Sequence, residues 1–333
     1  MLQRISNYNV PEILALLGDD DYALFARSVV EGRAAGRVYL DRAHQPTVAA
    51  IVSAEEERCY LTLRSAGLAI PEWQKTIRET IAREQDELNG AGIEYFLPPQ
   101  ADETVHAVFQ GIFALWNPAF LYHAQTDSLP ELPLAIPDGY TLQPITSMWL
   151  SGEGIKNKAL ITDEWEERTD HVDGVRGFCL LHKQKVVTVC HIDFRHQSAV
   201  EIGIITDEKF RRKGLAVVVV ANTIHFFHQH GIKKIIWHAP QNNPGSCRVA
   251  EKSGLRIQRE FGEYWLHYRP GNQQLMLGYA AFRAGNKPQA VAYYEQALEL
   301  EAHEKKPFGG QFSRRQVSAW IKELRAASIP NNE

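Results

Sequence analysis

Val200-Glu-Ile-Gly-Ile-Ile-Thr-Asp-Glu-Lys-Phe-Arg-Arg-Lys-Gly-Leu-Ala-Val-Val-Val-Val-Ala-Asn-Thr-Ile224 decides how this chain is read. Its opening is mostly apolar and β-branched, its middle is basic with one glycine, and its end is a long apolar run. That order predicts a strand, a turn and a helix. Such a turn aims several backbone N–H groups at one spot, at the positive end of a helix dipole, and so makes a site for a phosphate or pyrophosphate. Arg211, Arg212 and Lys213 add positive charge around Gly214.

Outward from this stretch the pattern continues. A strand is predicted over 140–144, a helical region to about Asp170, and strands over 177–181 and 185–194. Downstream come a strand over 234–238, a helix from Pro244, and two closing strands between Arg256 and Tyr268. Ahead of this run, Leu129-Pro-Glu-Leu-Pro-Leu-Ala-Ile-Pro-Asp-Gly139 is too rich in proline for regular structure and marks a boundary. The first 128 residues alternate as well: helical spacing over 11–30, strands over 36–41, 47–53 and 59–63, an amphipathic helix from Pro71 to Asn89, and a strand over 93–97. After Pro270, Leu277–Gly285 and Ala290–Leu300 form a helix–turn–helix, followed by an amphipathic helix over 313–326.

Bulk properties narrow the function classes. A net charge of −4 over 333 residues gives no general attraction to nucleic acid or an anionic membrane. No run approaches the roughly 20 apolar residues that span a bilayer, and the N-terminus lacks the apolar core of a signal peptide. The four cysteines, Cys59, Cys179, Cys190 and Cys247, show no metal-ligand spacing and read as buried reduced thiols. No metal is expected, and a cytoplasmic location fits.

Alone, Arg211-x-x-Gly214-x-Ala216 is a weak signal. A second cue follows it: Asn243-Pro-Gly-Ser246-Cys-Arg-Val-Ala-Glu-Lys-Ser-Gly254-Leu255. The two segments, in this order and with these flanking elements, resemble the GCN5-related N-acetyltransferases (GNAT). The resemblance implies a fold of the α/β (α+β) class, a mixed and mostly antiparallel sheet flanked by helices over 140–269. It implies acetyl-CoA as co-substrate and an amine, on a small molecule or a protein, as acceptor. Carried over by position, the backbone of Ile202, Gly203, Ile204 and Ile205 runs beside the pantetheine arm, where the fourth and fifth strands of the family splay. The N–H groups of Arg211, Arg212, Lys213, Gly214, Leu215 and Ala216 cradle the pyrophosphate, with Asn243 and Ser246 near the pantetheine and sulfur. Ser246 reads equally as a helix N-cap. The chain departs from the family where many members place a tyrosine acid for the leaving thiolate: that position is Ala250, and the usual phenylalanine is Leu255.

Glu201 is the first candidate for the base, since period-two alternation puts it on the face of Gly203; a salt-bridged strand residue is the alternative. His191, Asp193 and His238 are runners-up, and Tyr264, Trp265 and Tyr268 are candidates for an acceptor pocket or the core. The 1–128 segment resembles a degenerate copy of the same domain, with Gly67-Leu-Ala69 echoing Gly214-Leu-Ala216; an unrelated α/β domain is the alternative. The 270–333 tail resembles a single tetratricopeptide repeat, either a helical appendage or a surface for a protein partner or self-association. The rival reading of the whole is a non-catalytic acetyl-CoA-binding scaffold.

Overall fold

The structure, a computed structural model, describes residues 2–18, 21–53, 58–62, 70–81, 93–96, 107–126, 129, 134–150, 171–267, 269–304 and 313–326. In chain order the first elements are β1 (Gln3–Arg4), α1 (Val10–Leu17), α2 (Leu24–Val30), β2 (Gly36–Leu40), β3 (Ala49–Ser53), β4 (Arg58–Leu61), α3 (Ile70–Lys75), β5 (Ile93–Phe96) and β6 (Ala114–Gln125). They are followed by β7 (Tyr140–Ile145), β8 (Gly177–His182), β9 (Lys185–His196), β10 (Ala199–Thr206), α4 (Leu215–Gln229), β11 (Lys234–Pro240), α5 (Pro244–Lys252) and β12 (Arg256–Leu266). Three helices close the chain: α6 (Pro270–Arg283), α7 (Lys287–Glu304) and α8 (Arg314–Ala326). The helical region expected up to Asp170 is described only at its start, where Ser147–Leu150 form a short helix; its remainder, the Gly67–Ala69 echo, most of the second half of the Pro71–Asn89 helix, and Tyr268 lie outside the described residues.

Packing divides the chain into two compact units, one of Gln3–Glu56 with Pro118–Gly262, the other of Met1–Leu2, Glu57–Asn117 and Glu263–Glu333. These lines differ from the sequence segments 1–128, 129–139, 140–269 and 270–333, which follow chain order. In the first unit β7, β8, β9 and β10 form an antiparallel meander. β10 then pairs in parallel with β11, and β11 pairs antiparallel with β6. The helix α4 joins the parallel pair and lays Val219, Val220, Ile224 and Phe227, all fully buried, against the core. At about 1.5–3 kcal/mol for each such side chain, that face fixes the helix axis, and with it the position of its N-terminus.

The second unit repeats this motif. β4 and β5 pair in parallel across α3, and β5 pairs antiparallel with residues 263–266 of β12. Each sequence half therefore lends a strand to the other. β6, from the first half, completes the ladder beside β11, and the end of β12, from the second half, completes the one beside β5.

Two strand expectations are corrected. No strand was expected over 114–125; the strand runs through Asn117-Pro118 because Pro118 sits where the β11 ladder ends, next to the Ala119↔Pro240 pair, and no donor is required there. Its carbonyl accepts from Gln241 N–H at 2.8 Å. The two closing strands are one continuous strand, with Gly262 inside it.

In the tail, α6 and α7 touch at Gly278, where a Cβ would lie 2.5 Å from the ring of Tyr294. Leu275, Ala290, Ala297, Val317, Ile321 and Leu324 complete that small core. We expect Gly278→Val to force the ring aside and destabilise the tail by about 1–3 kcal/mol. A lowered thermal midpoint, or a separate early transition, would be seen by circular dichroism.

Candidate functional site

β10 has a partner on both sides only along its first residues. Ala199, Val200 and Glu201 pair with Lys234, Ile235 and Ile236 of β11. From Ile202 to Thr206 the ladder continues with β9 alone, while β11 stays paired with β6 as far as Pro240. The two parallel strands thus part after Glu201 and Ile236, and the edge of β10 from Ile202 to Ile205 borders the opening.

The register of β9 changes at the same level. Glu201 lies opposite Phe194 and Ile202 opposite Ile192, so Asp193 is an extra residue, a bulge that bends the strand. Val200, Ile202 and Ile204 face the α4 core. By alternation Glu201, which is buried, and Gly203 take the opposite face, where Phe194 packs on Phe25 of α2. His191, the partner of Gly203 in the ladder, holds Nε2 2.7 Å from Asp193 Oδ1. Both groups rest on the bare Cα of Gly203: a Cβ there would come within 2.8 Å of each Asp193 oxygen and 3.0 Å of His191 Cε1. The need for glycine here comes from this contact.

Beyond Thr206 the chain is tied to the sheet. Asp207 N–H donates to Val187 O at 2.9 Å, and its carboxylate accepts from Lys209 N–H at 3.0 Å and Lys185 Nζ at 2.6 Å. The Lys185 ammonium holds that carboxyl below its usual range. Arg211 differs from expectation: its N–H is taken up by Glu208 O at 3.2 Å and its Nε donates to Thr206 O at 3.1 Å. The N–H groups of Arg212, Lys213, Gly214, Leu215 and Ala216 have no acceptor among the described residues. Arg212 and Gly214 adopt left-handed φ of 61° and 79°, and α4 starts with no side-chain cap. Backbone turned in this way gathers N–H groups into an anion-binding concavity.

At α5 the cap is Asn243, whose Oδ1 accepts from Ser246 N–H at 3.2 Å, so Ser246 is not the N-cap. Its Oγ instead accepts from the Trp237 indole N–H at 3.0 Å. Ala250 and Leu255 are fully buried. Beside them Tyr122, contributed by β6 and opposite Trp237, points its hydroxyl at Glu251 Oε1, 3.5 Å away. Burial, with Cys247 and Glu251 nearby, pushes its pKa up, so it stays protonated. Sequence reading missed Tyr122 because it missed its strand.

His238, past the parting on β11, packs against Phe261 with ring centroids 5.2 Å apart. Tyr264 and Trp265 belong to the other compact unit. There Tyr264 stacks on Phe109 at 4.3 Å, and Trp265 donates to Glu263 at 2.8 Å. All four cysteines are free and buried; burial drives the Cys179 and Cys190 thiols up to about 12. Among the described residues no cluster of His, Cys, Asp or Glu could hold a metal, and no helix is long and apolar enough to cross a membrane.

A parted parallel pair leading into an uncapped N–H turn is the geometry the sequence resemblance implied, and a model of the GNAT acetyltransferase family matches residues 15–264. The chain belongs to that family. The match extends over most of the chain, including the first half. The uncharacterized N-acetyltransferase YdfB of Bacillus subtilis (strain 168) is 29% identical over 132 residues, 40% of this chain and 50% of that protein. The chain thus spans about half the length of the curated relative it matches. The fold is similar to that of a GCN5-related N-acetyltransferase-like protein from Streptococcus suis 89/1591, with a TM-score of 0.53 and 18% identity over 77% of this chain and 98% of that one. A GCN5-related N-acetyltransferase from Sphaerobacter thermophilus is similar at a TM-score of 0.54 and 12% identity, over 81% of this chain and 96% of that one. These GNAT structures speak to the fold alone.

Proposed function

We propose that the chain moves the acetyl group of acetyl-CoA to a primary amine. The observation that carries this reading is the parting of β10 from β11 directly before the N–H turn at 212–216. An extended thioester arm fits the opened strand edge of Ile202, Gly203, Ile204 and Ile205, and a pyrophosphate fits the turn. Five unaccepted N–H groups, the α4 dipole and the side chains of Arg211, Arg212 and Lys213 all favour a dianionic group there. Glu201, buried and on the face of Gly203, takes a proton from the incoming ammonium. The buried unpaired cysteines suit a reducing cytoplasm.

Two observations favour a second reading, an acetyl-CoA-binding scaffold without turnover: Ala250 stands at the tyrosine position, and the Ser246 hydroxyl is held by Trp237. Calorimetric titration with acetyl-CoA, followed by free-CoA release across a panel of primary amines, separates the two. Binding with release is the expected result, binding with no release supports the scaffold, and absence of binding overturns both. Glu201→Gln is expected to lower kcat/KM by about a hundredfold while acetyl-CoA affinity, measured by the same calorimetry, holds.

A further inference from the structure

We propose that the His191–Asp193 pair is a second proton acceptor of the site, taking the proton that the amine nitrogen loses as the amide forms. The proposal rests on the N-acetyltransferase reading above. A primary ammonium sheds two protons on its way to an amide: one before it can attack, and one as the C–N bond forms. Glu201 provides for the first. The second calls for another group, one that is a base before bond formation and an acid after it, and imidazole is suited to both.

The structure puts such a group beside Gly203. The bulge adds Asp193 to β9 at the level where β10 leaves β11, and the carboxylate lies 2.7 Å from His191 Nε2. Asp193 orients the ring, and both side chains are little exposed, at 8% and 12%. Gly203 lies on the strand edge that borders the opening, and with no Cβ it lets the pair lie against the strand. Other ionisable groups on this face include Glu201 itself, His238 beyond the parting on β11, Lys234 and His123, which face Asp21 at 2.9 Å and 3.8 Å, and His196, which is paired with Glu31 of the α2 C-cap at 3.1 Å.

The step balances. As the nitrogen bonds to the carbonyl carbon, its proton passes to the imidazole. The C–S bond then breaks, its electron pair leaves on sulfur, and the imidazolium proton follows to give the free thiol. This route supplies what position 250, an alanine, does not.

Two probe amines separate the roles. Benzylamine is an ammonium at pH 7 and must shed both protons; hydroxylamine is already neutral and sheds only the second. With the full chain, His191→Gln should lower kcat by about a hundredfold with both probes, with acetyl-CoA affinity unchanged by calorimetry. Glu201→Gln should lose far more with benzylamine than with hydroxylamine. Asp193→Asn should follow His191→Gln with a smaller loss, and it carries the same test should the histidine variant fail to fold. A His191→Gln chain with wild-type kcat on both probes, or one whose loss tracks acetyl-CoA affinity alone, overturns the proposal and leaves the pair a brace for the bulge. Failure of the wild-type chain to release CoA in either reaction counts instead against the N-acetyltransferase reading.

Discussion

Gly214→Asp is expected to weaken acetyl-CoA binding by a hundredfold or more. Two effects add. Position 214 has φ of 79°, a left-handed conformation that costs a residue with a Cβ about 1 kcal/mol. The larger effect is charge: a carboxylate roughly 5 Å from a pyrophosphate, at an effective dielectric near 20, repels it by about 3 kcal/mol. At about 1.4 kcal/mol per tenfold, the sum exceeds two orders of magnitude. Gly214→Ala isolates the first effect, because a Cβ there meets nothing within 4 Å. That variant should lose about tenfold or less. Calorimetry on the three proteins gives the answer, and equal affinities would remove the anion from this turn.

Separating the chain at the proline-rich 129–139 segment should leave neither part folded. A fragment of 140–333 loses β6, and with it the antiparallel partner of β11 from Lys234 to Pro240. It also loses the buried Leu121, Tyr122 and Ala124, and α2 with Phe25 against Phe194. Leu121, Tyr122 and Phe25 alone account for about 1.5–3 kcal/mol each, a large share of the roughly 5–15 kcal/mol that holds a domain together. The exposed β11 edge, with Ile235, Ile236 and Trp237 in it, then invites aggregation. A fragment of 1–128 lacks residues 263–266 of β12, the partner of β5. Circular dichroism melts should show no cooperative transition for either fragment alone and recovery on co-expression; a cooperative melt from 140–333 by itself would refute the expectation.

Much of the site was legible because its signals are local. The strand, basic turn and helix over 200–224 follow from composition and periodicity within one short window, and the helix from Pro244 was found in the same way. What escaped was set by partners distant in sequence. β6 was missed, and whether a strand can run through Asn117-Pro118 depends on whether the neighbouring strand asks for the proline's N–H. Two closing strands were expected where β12 is continuous. Ser246 looked like a cap until Asn243 was seen to hold that position. His191 and Asp193 could be named as candidates, but not as a pair crowding Gly203, because the bulge that joins them is a property of register. For the same reason the exchange of strands between the halves is invisible in either half.

The ties around Asp207 bear on how fast, as well as how tightly, a nucleotide end would dock. Val187 O, Lys185 and the Asp207 carboxylate fasten the start of the turn to β9, while the Arg211 guanidinium braces it against Thr206 O. The buried face of α4 fastens its other end. A receptor already in its bound shape loses little ordering entropy on association. Its association rate is then set by diffusion and by the attraction of Arg211, Arg212 and Lys213 for an anion, so it should fall as salt is added.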